Sequence, residues 1–326
     1  AFILTEQTKD SKGEKAVKQG YLIYEAWEAK KNERFIQMFQ KAGELENIAF
    51  SFVAKEEYPK MPLPDFVLNR TRDTKVSQWY EHKNIVVFHD SLITEIGNHK
   101  AKTLHFLEDH LPDAVKMQKW KPESAFLSKD QLIEWIDNFP SFGSNIFEAQ
   151  KETEIVIKSV NGHGGSEVAL LPVTIQKGQN LQEALSKQSG QDRQKLLALL
   201  ETYRGKDVLI QEKIASKSRD VRVYIVGNMI YQAVLRQGKE DFRSNFSLGG
   251  AVSAYSINEE EKEWVNAFVK AFSKRTLGMA GIDFLIDEQG RWIFNELEEM
   301  VGCRMLYQTT SKDIVKDYVR WIKRFV

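Results

Sequence analysis

Apolar and polar positions alternate along the chain in two periods, and together they predict short strands interleaved with amphipathic helices. Tyr21-Leu-Ile-Tyr24 reads as a strand, and Phe35, Ile36, Met38, Phe39 and Ala42 then recur with helical spacing. Further strands are predicted at Ile48–Val53, Asp65–Leu68 and Asn84–His89, with Asn69-Arg70-Thr71-Arg72-Asp73 leading out of the second of these. Strands alternating with helices predict a small parallel sheet with crossover helices. This unit ends near Asn98-His99-Lys100 and the helix after it. From Lys121 the texture changes: Ser128 and Gln131 form a capping-box start for a helix carrying Leu132, Ile133, Trp135 and Ile136. A strand at Glu154–Val160, a turn at Asn161-Gly-His-Gly-Gly-Ser166 and a strand at Val168–Leu171 follow, then a helical stretch from Asp192 to Tyr203 that stops at Gly205. Three strands (Val208–Gln211, Val221–Val226, Met229–Leu235) precede the polar segment Gln237–Ala251. An amphipathic helix carries Trp264, Val265, Phe268, Val269 and Phe272, and a last one carries Ile314, Val315, Tyr318, Val319 and Ile322.

Between those two helices lies Gly281–Arg304, which reads as a hairpin: a strand near Ile282–Ile286, a turn through Asp287-Glu288-Gln289-Gly290 and a second strand from Arg291 to Leu297. Strict alternation places Trp292, Phe294, Glu296 and Glu298 on one face, with the two carboxylates about 7 Å apart along the strand. Asp283 lies on the partner strand. Two readings are open for these acids alone: a solvated strand end, or an oxygen-rich pocket of the kind Mg²⁺ prefers.

Length, charge and cysteine usage narrow the class. The chain has 326 residues, beyond the single-core limit of about 250–300, so two or three subdomains are expected. With 46 basic and 46 acidic residues there is no general attraction to nucleic acid or to an anionic membrane. Cys303 is the single cysteine, which rules out an intrachain disulfide and suits a reducing compartment. No apolar run approaches the roughly 20 residues of a membrane span, and the first residues lack a signal-peptide core. A soluble, cytoplasmic protein is expected.

Several segments carry candidate chemistry. The glycines of Asn161–Ser166 sit between two strands, unlike a P-loop or a dinucleotide fingerprint, which both open a helix. They make either an ordinary glycine-rich turn or a mobile hairpin tip whose backbone N–H groups close over a phosphate chain. Lys158, just before the turn, supplies a cation for the second role. A second cluster runs from Arg219 to Gly250 and includes Arg222, Arg236, Lys239, Arg243 and Asn245. Its arginines either form surface ion pairs or converge on one anion through planar contacts, and Asn245 could complete an oxygen shell or hold a phosphate. His163 reads as a turn residue and Cys303 as a packed free thiol. No pair of histidines has zinc spacing.

Taken together these segments resemble the ATP-grasp superfamily, most closely its branch of ribosomal-protein-glutamate-ligase-like and lysine-biosynthesis-ligase-like carboxylate–amine ligases. Asn98-His-Lys100 resembles the family's Asn-Asp-Lys, with His99 in place of the acid; Ile157-Lys158 and the glycine turn resemble its second phosphate lysine and flexible loop. Gln211-Glu212-Lys213-Ile214 is similar to the adenine-holding hinge, Asp241-Phe-Arg-Ser-Asn-Phe-Ser-Leu-Gly-Gly250 to the branch's most distinctive string, and Ala280-Gly-Ile-Asp283 precedes the acidic strand. Two departures stand out. Glu296-Leu297-Glu298 replaces the usual Glu-X-Asn, and Glu298-Glu-Met-Val-Gly302 replaces Asn-X-Pro-Gly.

The resemblance implies an α/β (α+β) ATP-grasp fold behind a small parallel α/β domain. The domains would be a 1–19 extension, a pre-ATP-grasp domain over 20–112, a central subdomain with the glycine-rich lid over 113–212, and a C-terminal subdomain over 213–326. It implies ATP and Mg²⁺, with Mn²⁺ as an alternative metal. Asp283, Glu296 and Glu298 would hold the metal, Lys100, Lys158, Gly162, Gly164 and Gly165 the phosphates, and Gln211, Glu212, Lys213 and Ile214 the adenine, with Asp220 near the ribose. Arg222, Arg236, Arg243 and Asn245 would stabilise an acyl phosphate that an amine converts to an amide. The expected partners are a small carboxylate and an amine, a peptide or carrier-bound acid included, with no nucleic acid and no membrane; a homo-oligomer is left open. The alternatives are a non-catalytic ATP-binding regulatory protein and a kinase of the same superfamily acting on a hydroxyl.

Overall fold

The computed structural model describes residues 16–139, 149, 151–163, 167–238 and 250–326. The chain opens with β1 (Lys18–Tyr24), α1 (Ala26–Lys31), α2 (Glu33–Glu44), β2 (Ile48–Ala54), β3 (Phe66–Asn69), α3 (Thr74–Glu81), β4 (Val86–Phe88), α4 (Ser91–Gly97) and α5 (Lys100–His110). Its four strands are all parallel, in the order β2-β1-β3-β4. The near-continuous apolar runs of β1 and β3 suit a sheet covered on both faces. The helical spacing of α2 buries Ile36, Phe39 and Ala42 against it.

Next come α6 (Asp113–Lys116), β5 (Ser124–Leu127), α7 (Lys129–Asp137), β6 (Thr153–Ser159), β7 (Val168–Ile175), α8 (Leu181–Ser186), α9 (Gly190–Glu201) and β8 (Val208–Glu212). The predicted capping box is present at α7, with reciprocal bonds between Ser128 and Gln131. The strands form an antiparallel sheet ordered β5-β8-β6-β7. Its core of Trp135, Ile155, Leu171, Leu200 and Ile210 is closed by α7, α8 and α9.

The last part holds β9 (Arg219–Val226), β10 (Met229–Gln237), β11 (Ala251–Tyr255), α10 (Glu259–Ala271), β12 (Met279–Ile286), β13 (Trp292–Glu298), α11 (Arg304–Thr309) and α12 (Ile314–Ile322). Its strands pair antiparallel in the order β11-β10-β9-β12-β13. Gly227 and Asn228, at φ 60° and 61°, make the two-residue turn between β9 and β10, where both positions require the left-handed region. A Cβ on Gly227 would lie 2.1 Å from the Trp321 indole nitrogen. Two strands escape the sequence patterning. β5 and β11 are short, and β11 buries none of its residues, so neither shows the alternation that would mark it.

One face of the five-stranded sheet, with Val221, Val223, Ile282 and Phe284, packs under α10 and α5. The opposite face is apolar at one end, where Tyr224, Val226 and Met279 meet α12. That core continues into Leu22, Phe39 and Phe66 of the N-terminal part, so the first and last parts of the chain share it. Strict alternation on β13 fails at one residue. Asp283 pairs with Glu296 but Phe284 pairs with Phe294, which leaves Asn295 as a bulge. The extra residue inverts the parity. Trp292, Phe294 and Leu297 all enter the apolar core, while Glu296 and Glu298 point to the other face with Asp283. The expected shared face of Trp292 and Phe294 with the two glutamates is therefore corrected.

Phe268 of α10 anchors the apolar face, stacked on Phe294 at 5.6 Å and edge-on to Phe284 at 5.2 Å. Phe268→Ala should cost about 3–5 kcal/mol, read as a lower urea midpoint with an unchanged slope. A loss well under 1 kcal/mol would mean that this core does not support the sheet.

Candidate active site

The sheet register places charged residues in rows. Arg222 lies opposite Asp283, Asp283 opposite Glu296, Arg236 opposite Asp220, and Gly281 opposite Glu298. Side chains facing each other across strands share a face, so residues from β9, β10, β12 and β13 meet. Arg222 donates to both Asp283 oxygens, Nε to Oδ1 and a terminal nitrogen to Oδ2, each at 2.7 Å. Arg236 donates to Oδ2 of Asp283 at 2.6 Å and clasps Asp220 with Nε at 2.6 Å. Asp283 is fully buried, and Asp220, Arg222 and Arg236 nearly so. Burial alone would raise the Asp283 carboxyl pKa, but the two guanidiniums outweigh it and hold the group ionised. The row then opens outward: Arg222 reaches Glu298 at 3.6 Å, and Glu298 and Glu296 keep 22% and 21% of their side chains exposed.

A second set approaches the same strand from the other sheets. Lys100 is the first residue of α5, and its position is set by the N-cap His99, whose ring accepts from the Lys102 N–H. Its ammonium donates to the Gly162 carbonyl and stands 3.6 Å from Glu296. Lys158 of β6 donates to the side-chain oxygen of Asn295, the bulge residue, at 2.9 Å. Burial pushes the Lys158 ammonium down to about 8; Glu296 opposes that and Lys100 adds to it. Burial likewise lowers His163, with Arg72 and Lys100 acting in the same direction. Glu298 moves the other way. Burial pushes it up to about 7, with Glu296 and Asp283 adding to the rise against the pull of Arg222. Lys100, His163, Glu296, Glu298 and Glu299 line one narrow cavity.

The expected site residues thus divide into groups. Lys100, Lys158, Gly162, Glu296 and Glu298 come together. Asp283, Arg222 and Arg236 do not open onto the cavity in the expected way: Asp283 stands as the counter-ion of both arginines, because a buried carboxylate needs a cation. Asp220 has its carboxylate clasped by Arg236. Gln211 and Glu212 end β8 and are buried; the Glu212 carboxylate accepts from the Glu123 N–H at 3.0 Å and pairs with Lys119. Lys213 pairs with Glu154, and Ile214 follows at the strand's exit. Gly164, Gly165, Arg243 and Asn245 lie outside the described residues. Among the described residues no group of three or more His, Cys, Asp and Glu is close enough to hold a metal ion. The donors that do reach the cavity, Glu296 and Glu298, suit a hard cation that completes its shell with water and phosphate oxygens.

Sequence reasoning missed Asn295, Arg72 and the Asn98–Glu299–His89 contacts. Asn98 donates to one Glu299 oxygen at 2.8 Å and His89 lies 3.3 Å from the other. No local pattern marks them, since the partners are about 200 residues apart in the chain.

A family model described as the RimK-like ATP-grasp domain matches residues 138–322, more than half of the chain. The chain belongs to the RimK-like ATP-grasp family. It is 31% identical over 199 residues to a ribosomal protein bS6–L-glutamate ligase of Escherichia fergusonii, covering 60% of this chain and 59% of that one. A Shigella boydii protein of the same name is 29% identical over 200 residues, with the same coverage. The chain thus spans about three-fifths of the length of the curated relatives it matches. Among solved structures, D-cycloserine synthetase DcsG superposes with a TM-score of 0.63 at 13% identity, over 94% of this chain and 100% of that one. The ATP-grasp ligase PsnB with its minimal precursor gives 0.59 at 14% identity over 94% and 99%, and D-alanine–D-alanine ligase from Bacillus anthracis 0.58 at 14% over 94% and 97%. These likenesses establish the ATP-grasp fold, and the RimK-like group is one of carboxylate–amine ligases. No helix among the described residues is long and apolar enough to cross a membrane.

In this RimK-like chain Cys303 is buried, and burial pushes its thiol up to about 12. It is therefore a packing residue, as its sequence context suggests. Lys158 has a measurable consequence. Its pKa is depressed on folding, so between about 8 and its ordinary value of 10.5 the unfolded chain binds more protons and stability from this group rises with pH. The wild-type protein should gain stability relative to Lys158→Met between pH 7.5 and pH 10 in urea titrations without nucleotide. Parallel curves for the two proteins would show that Lys158 keeps an ordinary pKa.

Proposed function

We propose that this protein is an ATP-dependent, ADP-forming carboxylate–amine ligase that makes an amide bond through an acyl phosphate. The observation that supports it most is the convergence of Lys100 of α5 with Glu296 and Glu298 of β13 on one cavity wall, with Lys158 of β6 bonded to Asn295 of that same wall. Glu296 and Glu298 are the proposed metal ligands. Mg²⁺ there would neutralise phosphate oxygens; Mn²⁺ fits the same donors. Lys100 and Lys158 draw charge from the phosphates, and their mutual repulsion in a largely buried site favours an anion between them. The glycine turn, held to Lys100 through the Gly162 carbonyl, moves with that lysine and excludes water from a hydrolysable acyl phosphate. Gly164 and Gly165 are proposed to belong to the same lid.

Asp283 is proposed to act through Arg222: by holding Nε and one terminal nitrogen it keeps that terminal nitrogen 3.6 Å from Glu298. Arg236 and Asp220 brace that arrangement from β10 and β9. Gln211, Glu212, Lys213 and Ile214 are proposed as the adenine-holding segment, and Arg243 and Asn245 as groups that stabilise the acyl phosphate. Phosphoryl transfer needs positioning and charge stabilisation more than an acid–base residue, and a site of matched carboxylates and cations provides both. The acid is proposed to be a small carboxylate or a peptide-borne one, and the amine an amino compound.

Incubation with ATP, Mg²⁺ and a pool of amino acids and small carboxylates should yield a new amide by mass spectrometry in step with ADP. A phosphorylated hydroxyl product would identify a kinase, and no product at all a nucleotide-binding regulator. Glu296→Gln should lower ADP formation at least about a hundredfold with little change in thermal midpoint; full activity in that variant would remove the metal assignment.

A further inference from the structure

Glu299 follows Glu298 directly and occupies the unspecified position of the altered Asn-X-Pro-Gly string, so the resemblance gives it no role. It is only 2% exposed, and its side chain leaves β13 for the N-terminal part of the chain. Asn98 donates from Nδ2 to Glu299 Oε1 at 2.8 Å, and His89 Nδ1 stands 3.3 Å from Oε2. The same Asn98 amide donates to the Thr94 carbonyl at 2.7 Å, which ties it at once to α4 and to Glu299. The buried Arg70 guanidinium is also attracted to this carboxylate. Gly97 completes the seat: a Cβ there would lie 2.7 Å from the Glu299 Cγ and 2.8 Å from its Cβ, closer than a side chain tolerates.

The seat is the corner between α4 and α5, and Lys100 opens α5 two residues after Asn98. The corner has other fastenings. The Lys100 N–H donates to the Val160 carbonyl at 3.0 Å, just past β6, and the Thr103 hydroxyl to the Ile96 carbonyl at 2.5 Å. Neither reaches β13. Glu299 does, from one residue beyond Glu298, and Gly97, Asn98, Lys100, Glu296, Glu298 and Glu299 line one cavity. An apolar contact would join the two parts of the chain without the cost of burying a charge. Hydrogen bonds to both oxygens of a carboxylate do what an apolar contact cannot: they fix direction as well as distance.

We propose that Glu299 is a positioning residue for Lys100. Through Asn98 it sets the α4–α5 corner, and with it the Lys100 ammonium, against Glu296 of β13. Its own oxygens are engaged by Asn98 and His89, so it acts through the lysine and not on the nucleotide. This role rests on the ligase reading, in which Lys100 meets the ATP phosphates.

The test is a double-mutant cycle on the whole protein, read by calorimetric titration with a non-hydrolysable ATP analogue in Mg²⁺. Glu299→Ala should weaken the analogue about tenfold when Lys100 is present. In a Lys100→Met background the same change should cost less than about twofold, because the effect passes through that lysine. Glu299→Gln keeps an acceptor for Asn98 and should stay within about threefold of wild type, whatever it loses in thermal midpoint with the attraction to Arg70. Asn98→Ala removes a single donor and should repeat the Glu299→Ala pattern in both backgrounds; it decides the question alone if Glu299→Ala does not fold. Wild-type affinity in the alanine variants would overturn the role, as would a glutamine variant as weak as the alanine one. An equal loss with and without Lys100 would also overturn it, by showing a general structural effect. Failure of the ligase reading looks different: the wild-type protein itself would not bind the analogue, and the positioning role would fall with it.

Discussion

The Asp283 carboxylate, held between Arg222 and Arg236, is the contact on which the charged face of the five-stranded sheet depends. Removing three charges from water is costly, and such groups are tolerated only when each is paired with good geometry. Here Arg222 is bidentate on Asp283, and Arg236 divides its donors between Asp220 and Asp283. Signs alternate from Asp220 through Arg236, Asp283 and Arg222 to Glu298. Of the two outer glutamates, Glu298 is met by Arg222 and Glu296 by Lys100, with Lys158 also attracted to Glu296. That balance lets a charged wall stand on a sheet whose other face is an aromatic core.

The Asn295 bulge is the second constraint. Without it, Glu296 and Glu298 would follow Trp292 and Phe294 into the apolar core, where an ionised carboxylate could not survive. With it, the strand buries Trp292, Phe294 and Leu297 on one side and offers two acids on the other. The bulge residue is also used, since its side chain receives Lys158. Immediately beyond Glu298, Glu299 turns back and is gripped by His89 and Asn98 of the N-terminal part. Gly97 makes this approach feasible, because a Cβ there would lie 2.7 Å from the Glu299 Cγ. As Asn98 and Lys100 are near neighbours, the same contact sets Lys100 against Glu296.

Much of this was legible in advance where the signal is local. The amphipathic faces of α2, α10 and α12, the capping box of α7 and the β12–β13 hairpin follow from periodicity and turn chemistry, and the family follows from the order of its motifs. β5 and β11 were not legible, because short edge strands with mixed exposure carry no period. The side-chain face of Glu296 was not legible either, because alternation carries no trace of where a bulge will fall.

By itself the sequence determined the strands and helices with a clear period, β5 and β11 apart, as well as which family they compose and which residue types are available for chemistry. These depend on neighbours a few positions apart, within reach of backbone hydrogen bonding and side-chain spacing. The tertiary structure alone decided that Asp283 serves two arginines, that Asn295 inverts a strand, and that Glu299 reaches back to Asn98 and His89. Those outcomes depend on which distant group occupies the space opposite, and on the cost of burying charge without one.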